Sequence, residues 1–240
     1  MLTAIFHFLY AIASFIIGLL ILFFVWTKKT KLNNNVVYFA YFFILFAVYR
    51  ILLASYLFID DIFLIKEFYI IGIIVFFGMI TLMELVALKM LQVEYLMRKI
   101  IFLFMFLLTS VVTFLQVYNF RLPIINRKGF VLWNMDIWSS WITSLSGFMV
   151  AMTWAYVFSR NIMKGRNKTD KIKNHLIVIT AIFLGIASLA YFHSNYYSLI
   201  IAFFSALGGI ISMVIFLIIS FLNNVKDKKT NLQNLKKINN

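Results

Sequence analysis

The chain has no cysteine, a single proline and only eight acidic residues among 240. Without cysteine there is no disulfide framework, no thiolate chemistry and no Cys-ligated metal or cluster. With proline confined to Pro123, the apolar runs lack the residue that most often kinks or breaks a helix. Charge is scarce as well, at 12% Asp, Glu, Lys and Arg, against about a quarter in soluble domains. No His-x-x-x-His, Gly-x-Ser-x-Gly or paired aspartates fall within an apolar run, so neither a nucleophile with its base nor a metal-ligand cluster is on offer. The sequence thus argues against an enzyme and implies no catalytic residue, metal or cofactor. No internal repeat is visible, which weighs against an inverted-repeat transporter.

What fills the chain instead is 64% hydrophobic residues with 28 Phe and a mean hydropathy of +0.97. That composition belongs to an all-α integral membrane protein. Seven segments reach the ~20 residues needed to cross a ~30 Å hydrocarbon core. They lie near 4–26, 36–58, 68–93, 99–119, 137–159, 176–193 and 198–222, forming a seven-transmembrane helix domain over 1–222, with a basic tail at 223–240. The first has no Lys or Arg before it and no small-x-small site after it, unlike a cleaved signal peptide.

The net charge of +14 is informative through its placement. Lys28, Lys29 and Lys31, then Arg98 and Lys99, then the run Arg160 to Lys173, then Lys226 to Lys237 all fall on one side of a seven-span chain. The other side has Lys66, Arg121, Arg127 and Lys128 and also Asp60, Asp61, Glu67 and Asp136. The positive-inside rule makes the first side cytoplasmic, with the N-terminus outside and the C-terminus inside. A prokaryotic plasma membrane is the expected location. The bilayer is the first partner, with anionic lipids at Arg160–Lys173 attracted at about 1 kcal/mol per charge. A cytoplasmic protein could meet 223–240, a Lys/Asn-rich strip expected to be disordered or to lie on the membrane surface. No nucleic-acid partner is implied.

Helices associate in lipid through close packing, so small residues at helical spacing mark inward faces. Ala202, Ser205, Ala206, Gly209 and Ser212 form one such stripe with Gly208 beside it; Ser140, Ser144, Gly147 and Ala151 form a second; Ala11, Ser14 and Gly18 form a third. His7 lies on the face of the third stripe, one turn outward. At the outer boundary Trp133, Asp136, Trp138 and Trp141 precede or begin the fifth segment, and His193, Tyr196 and Tyr197 occupy the turn between the sixth and seventh. Such rings usually anchor helices at head-group level, or they could line an outward-facing ligand site with Asp136 as its charge.

Two charges lie deeper. Arg50 in FAVYRILLA is about 21 Å from the cytoplasmic start of its segment, and Glu84 in ITLMELVAL about 15 Å from the cytoplasmic end of its own, at 1.5 Å per residue. The two segments are antiparallel neighbours, so an offset of about 6 Å puts the carboxylate within reach of the arginine. The sequence therefore predicts an Arg50–Glu84 ion pair, or a water-bridged version of it, with Thr81 steadying the carboxyl group. Such a pair either marks an ion, proton or ligand site or locks two helix faces together. Lys89, five residues after Glu84, is turned away from it and can extend to the interface.

Seven helices with the N-terminus outside invite comparison with retinal proteins and rhodopsin-type receptors. The last segment has no lysine for a Schiff base, no Asn-Pro-x-x-Tyr and no outer disulfide. In topology alone the layout resembles the seven-helix sensory modules that precede bacterial kinase or cyclase domains. On that basis the expected function is a sensory, receptor-like or scaffold module acting through cytoplasmic partners, with Gly208-Gly209 permitting movement. The alternative is a small-solute or ion permease with its polar site at Arg50 and Glu84.

Overall fold

Long apolar segments without proline leave their backbone one economical way to pair every N–H and C=O, within the segment itself. The computed structural model has that form: α1 (Leu2–Thr27), α2 (Asn34–Ala54), α3 (Ile62–Met90), α4 (Tyr95–Tyr118), α5 (Ile137–Lys164), α6 (Lys168–Tyr191) and α7 (Tyr196–Ile238). Between α4 and α5 a minimal antiparallel hairpin pairs β1 (Ile124–Ile125) with β2 (Val131–Leu132). The structure describes residues 2–27, 34–54, 58–59, 61–125, 131–132, 134–164, 168–193 and 195–238, the side chains of 2–4, 34–36, 125, 131–132, 164, 196 and 221–238 excepted. Each of the seven helices is long and apolar enough to cross a membrane.

Helix ends depart from the hydropathy boundaries where polar residues decide them. α3 starts at Ile62 rather than near 68 because Asp61 caps it, its Oδ1 accepting from the N–H groups of Phe63 at 2.8 Å and Leu64 at 3.4 Å. The same helix stops at Met90 rather than 93. Gln92 adopts a left-handed φ of 60°, and the Gln92 and Val93 N–H groups turn back to the carbonyls of Lys89 and Leu88. α6 begins at Lys168, eight residues before its apolar stretch, with Asp170 in its first turn, where a negative charge suits the helix dipole. The largest departure is at the C-terminus. The strip expected to be disordered or surface-lying continues α7 as helix to Ile238, about 24 Å beyond Leu222 at 1.5 Å per residue. It contains neither Gly nor Pro, and Lys, Leu and Gln extend a helix already nucleated by the apolar part.

The helices pack mainly on their neighbours in sequence, α1 on α2, α2 on α3, α5 on α6 and α6 on α7, while α3 also meets α5 and α1 meets α7. α4 rests on α3 and α5 at the periphery; its buried residues are Met105, Val112 and Gln116. The small-residue stripes face inward as expected. Ala202, Ser205, Ala206 and Ser212 of α7, Ser140 and Ser144 of α5, and Ala11 and Ser14 of α1 are all buried. Their function is close approach: a Cβ on Gly18 would lie 3.0 Å from the Ala40 carbonyl of α2. Gly208 is covered by the Phe183 ring, so its role here is packing rather than a visible bend.

Candidate ligand cavity

Arg50 is 4% exposed, in the C-terminal half of α2 near Ala54. Its guanidinium carbon lies 4.7 Å from the ring centroids of Phe46 and Tyr191, 5.4 Å from Tyr10 and 5.8 Å from Tyr49. The cage draws on three helices. Phe46 and Tyr49 sit one turn or less before Arg50 on α2, Tyr10 comes from α1 and Tyr191 ends α6. Hydrogen bonds hold two of the rings: Tyr10 donates its hydroxyl to the Phe203 carbonyl of α7 at 2.6 Å, and the Tyr191 hydroxyl meets His7 Nε2 at 3.1 Å. Ring faces stabilise a desolvated cation by about 2 kcal/mol, yet they offer no acceptor to the N–H edges. Among the described residues Arg50 Nε and Nη1 accordingly have no hydrogen-bond partner, and neither does the buried Tyr49 hydroxyl.

The expected ion pair with Glu84 is not formed among the described residues. Tyr49 and Phe76 face each other with centroids 5.4 Å apart, and Gly72 lies against Leu53, which sets Arg50 level with Val75. Glu84 is nine residues further along α3, about 14 Å at 1.5 Å per residue. The smaller offset inferred from sequence rested on helix ends at 36 and 93; the ends at Asn34 and Met90 put Arg50 deeper and Glu84 shallower. The faces differ too. Arg50 turns to α1 and α6, whereas Glu84 turns to α5, its Oε1 accepting from Thr153 Oγ1 at 3.4 Å. Thr81 makes no hydrogen bond to Glu84 among the described residues; Thr153, three helix turns along α5 from Ser140, takes that place.

Between these two charges lies a cavity of about 110 Å³ enclosed by α2, α3, α5, α6 and α7. Its wall on α2 runs from Phe39 to Arg50, about 16 Å along the helix, so the space is long and narrow. Arg50, Tyr49 and Tyr191 line one end, while Met83, Trp154 and Met213 line the other. Trp154 braces that end: its Nε1 donates to the Met83 carbonyl at 3.0 Å, and its ring stacks on Phe158 and meets Phe39 edge-on at 4.5 Å. Arg50 is the one charged residue in the lining, and Glu84 is not part of it. The volume exceeds what a single water needs, and walls this apolar do not favour water.

The aromatic residues expected at the outer boundary form only local contacts among the described residues. Trp141 and His193 are in edge contact at 4.8 Å, and Ser140 Oγ is 3.3 Å from His193 Nδ1 while donating to the Phe192 carbonyl. Asp136 is used locally, its Oδ2 accepting from the N–H groups of Trp138 and Ser139 at the start of α5. Trp138 and Tyr197 are exposed, in keeping with interfacial anchors. Trp133 and the Tyr196 side chain lie outside the described residues.

A second opening of about 310 Å³ lies at the opposite end of the bundle, between α3 and the start of α4, bordered by Tyr38, Lys89, Tyr95, Arg98, Lys99 and Phe102. Tyr95 holds both cations nearby, with Lys99 Nζ 4.7 Å and the Arg98 guanidinium 5.8 Å from its ring. Sequence reasoning identified Arg50 but missed Tyr10, Tyr49, Trp154 and Tyr191. Only the spacing of Phe46, Tyr49 and Arg50 on α2 was a signal in the sequence, because the other rings come from distant helices. Comparison with family models, with curated proteins and with solved structures gives no match to this chain.

Proposed function

We propose that the chain is a seven-helix membrane receptor or sensor module whose ligand occupies the central cavity and whose output is carried by α7. The observation that carries this reading is the buried Arg50 at one end of an otherwise uncharged cavity. Ala206 and Met213 of α7 line the same cavity, and α7 continues as helix to Ile238. A ligand that pushes on those residues therefore acts directly on the element that leaves the bundle. In the proposed orientation the N-terminus is outside and the extension of α7 lies in the cytoplasm of a prokaryotic cell, where residues 223–240 meet a protein partner. Anionic lipid head groups are proposed at Arg160–Lys173, of which 165–167 lie outside the described residues, and at the Lys89, Arg98 and Lys99 opening.

The permease alternative needs a polar path between the two charges. Apolar walls between Arg50 and Met83 favour a receptor. The absence of native cysteine makes the test direct. Spin labels on Met163→Cys and Ile218→Cys, in full-length protein in nanodiscs, report the distance between the end of α5 and the middle of α7. A panel of alkyl alcohols, amines and carboxylates should include a class that shifts this distance in the otherwise unaltered protein and not in the cavity-filled Ala181→Phe variant. No shift with any class, together with solute flux in liposomes that Glu84→Gln abolishes, would replace the receptor with a permease.

A further inference from the structure

We infer that the cavity is a site for an unbranched alkyl monocarboxylate, its carboxylate at Arg50 and Tyr49 and its chain directed toward Trp154. This deepens the receptor reading and rests on it.

The charge of the ligand follows from the donors. Arg50 is 4% exposed, and its Nε and Nη1 have no acceptor. The hydroxyl of Tyr49, a residue 2% exposed, also has none, and both residues line the cavity. A buried cation held only by ring faces is costly, and uncommitted N–H and O–H groups add to the cost. The group that uses them is an anion with several acceptor lone pairs, and a carboxylate matches a guanidinium best. One charge is the limit, because among the described residues Arg50 is the only cation in the lining and a second negative charge would be desolvated without a partner. A phospholipid head group fails for a related reason: its polar ester and glycerol oxygens would face Phe46, Phe76 and Phe192, which offer them no donor.

The body of the ligand follows from the shape. About 110 Å³ of space whose wall on α2 extends about 16 Å matches the length of an extended chain better than a compact ring system. Its walls beyond Arg50 are mainly apolar, with Met79, Ile80, Val150, Ala181 and Leu184 giving an alkyl chain dispersion contacts, and the two hydroxyls there, Thr180 and Ser188, already donate to the Leu176 and Ser144 carbonyls. Selectivity is then split. The outer end reads the head group, and the chain length is limited by Trp154 and Met83, which are locked to each other by a hydrogen bond.

The test uses purified full-length protein in nanodiscs, with decanoate, decanol and decylamine as probes, read by displacement of a fluorescent alkyl carboxylate and by the α5–α7 label distance. Decanoate should bind at least about tenfold more tightly than decanol, the value of a charged hydrogen bond inside a protein. Arg50→Gln should weaken decanoate about 10- to 100-fold while leaving decanol unchanged. Tyr49→Phe, which removes one hydroxyl and keeps the ring, should weaken decanoate a few-fold with unaltered melting temperature, and so guards against a misfolded Arg50 variant. Equal binding of decanoate and decanol, or an Arg50→Gln loss shared by both, overturns the carboxylate assignment while the receptor cavity stands. If none of the three probes binds and Ala181→Phe changes nothing, the cavity is not a ligand site and both inferences fall.

Discussion

Arg50 and Glu84 are the two charges carried deepest into apolar helices, and the bundle houses them in opposite ways. Arg50 stands at the meeting point of α1, α2 and α6, under four aromatic rings, at the end of a cavity. Glu84 stands in the seam between α3 and α5, half-buried, with a threonine hydroxyl at 3.4 Å, outside that cavity. Ring faces hold a cation without consuming its hydrogen-bond donors, which leaves Arg50 able to receive something else. The Thr153 hydroxyl at the α3–α5 seam occupies one Glu84 oxygen, while Oε2 has no hydrogen-bond partner among the described residues, so what sets Arg50 apart is the cavity it borders. The lesson is that depth alone does not distinguish a binding charge from an interface charge; the geometry of the neighbours does.

The contrast can be broken or sharpened by mutation, with reversible unfolding in mixed micelles as the measurement. Trp154→Ala should have the largest effect, a loss of about 3–5 kcal/mol, because a buried ring packed against Phe39 and Phe158 leaves a cavity behind. A loss below about 1 kcal/mol would show that the Glu84 end of the cavity is not braced as described. Gly147→Ala comes next, at about 1–3 kcal/mol, since the new Cβ collides with Ser188 Oγ across the α5–α6 contact. Pairing it with Ser188→Ala should recover part of that loss, and no recovery would place the strain elsewhere.

Smaller effects test the two charges themselves. Tyr10→Phe removes a buried donor from the cage around Arg50, and Thr153→Val removes the hydroxyl beside Glu84. Each should cost about 0.6 kcal/mol, the average for side-chain hydrogen bonds between membrane helices. The smallest number expected is the coupling between the charges. In the cycle of Arg50→Leu, Glu84→Leu and the double variant, sites about 14 Å apart with no shared partner should add within about 0.5 kcal/mol. A larger coupling would restore the direct ion pair that the sequence suggests.

Much of the fold was legible because its cause is local. A segment such as Ile137–Lys164 is helical through its own backbone pairing, and stripes such as Ala202, Ser205 and Ala206 reveal an inner face by spacing alone. Helix ends were less legible. Asp61, Gln92 and the polar first turns of α6 act through caps and backbone turns, which hydropathy does not register. The candidate site was half legible: Arg50 is conspicuous in any reading, yet the rings around it are Phe46 and Tyr49 from its own helix and Tyr10 and Tyr191 from residues far away in the chain.

By itself, then, the sequence determined seven apolar helices, their inward stripes and the presence of two deep charges, since each depends on composition and period within a single segment. Only the tertiary structure decided that those charges do not meet, that Arg50 and not Glu84 borders the cavity, and that Arg50 Nε and Nη1 have no partner among the described residues. The reason is geometric. A register shift of a few residues between α2 and α3 moves a side chain by many ångströms at 1.5 Å per residue, and the rotation of each helix selects which neighbour it addresses. Neither quantity is written in the order of the residues along one segment.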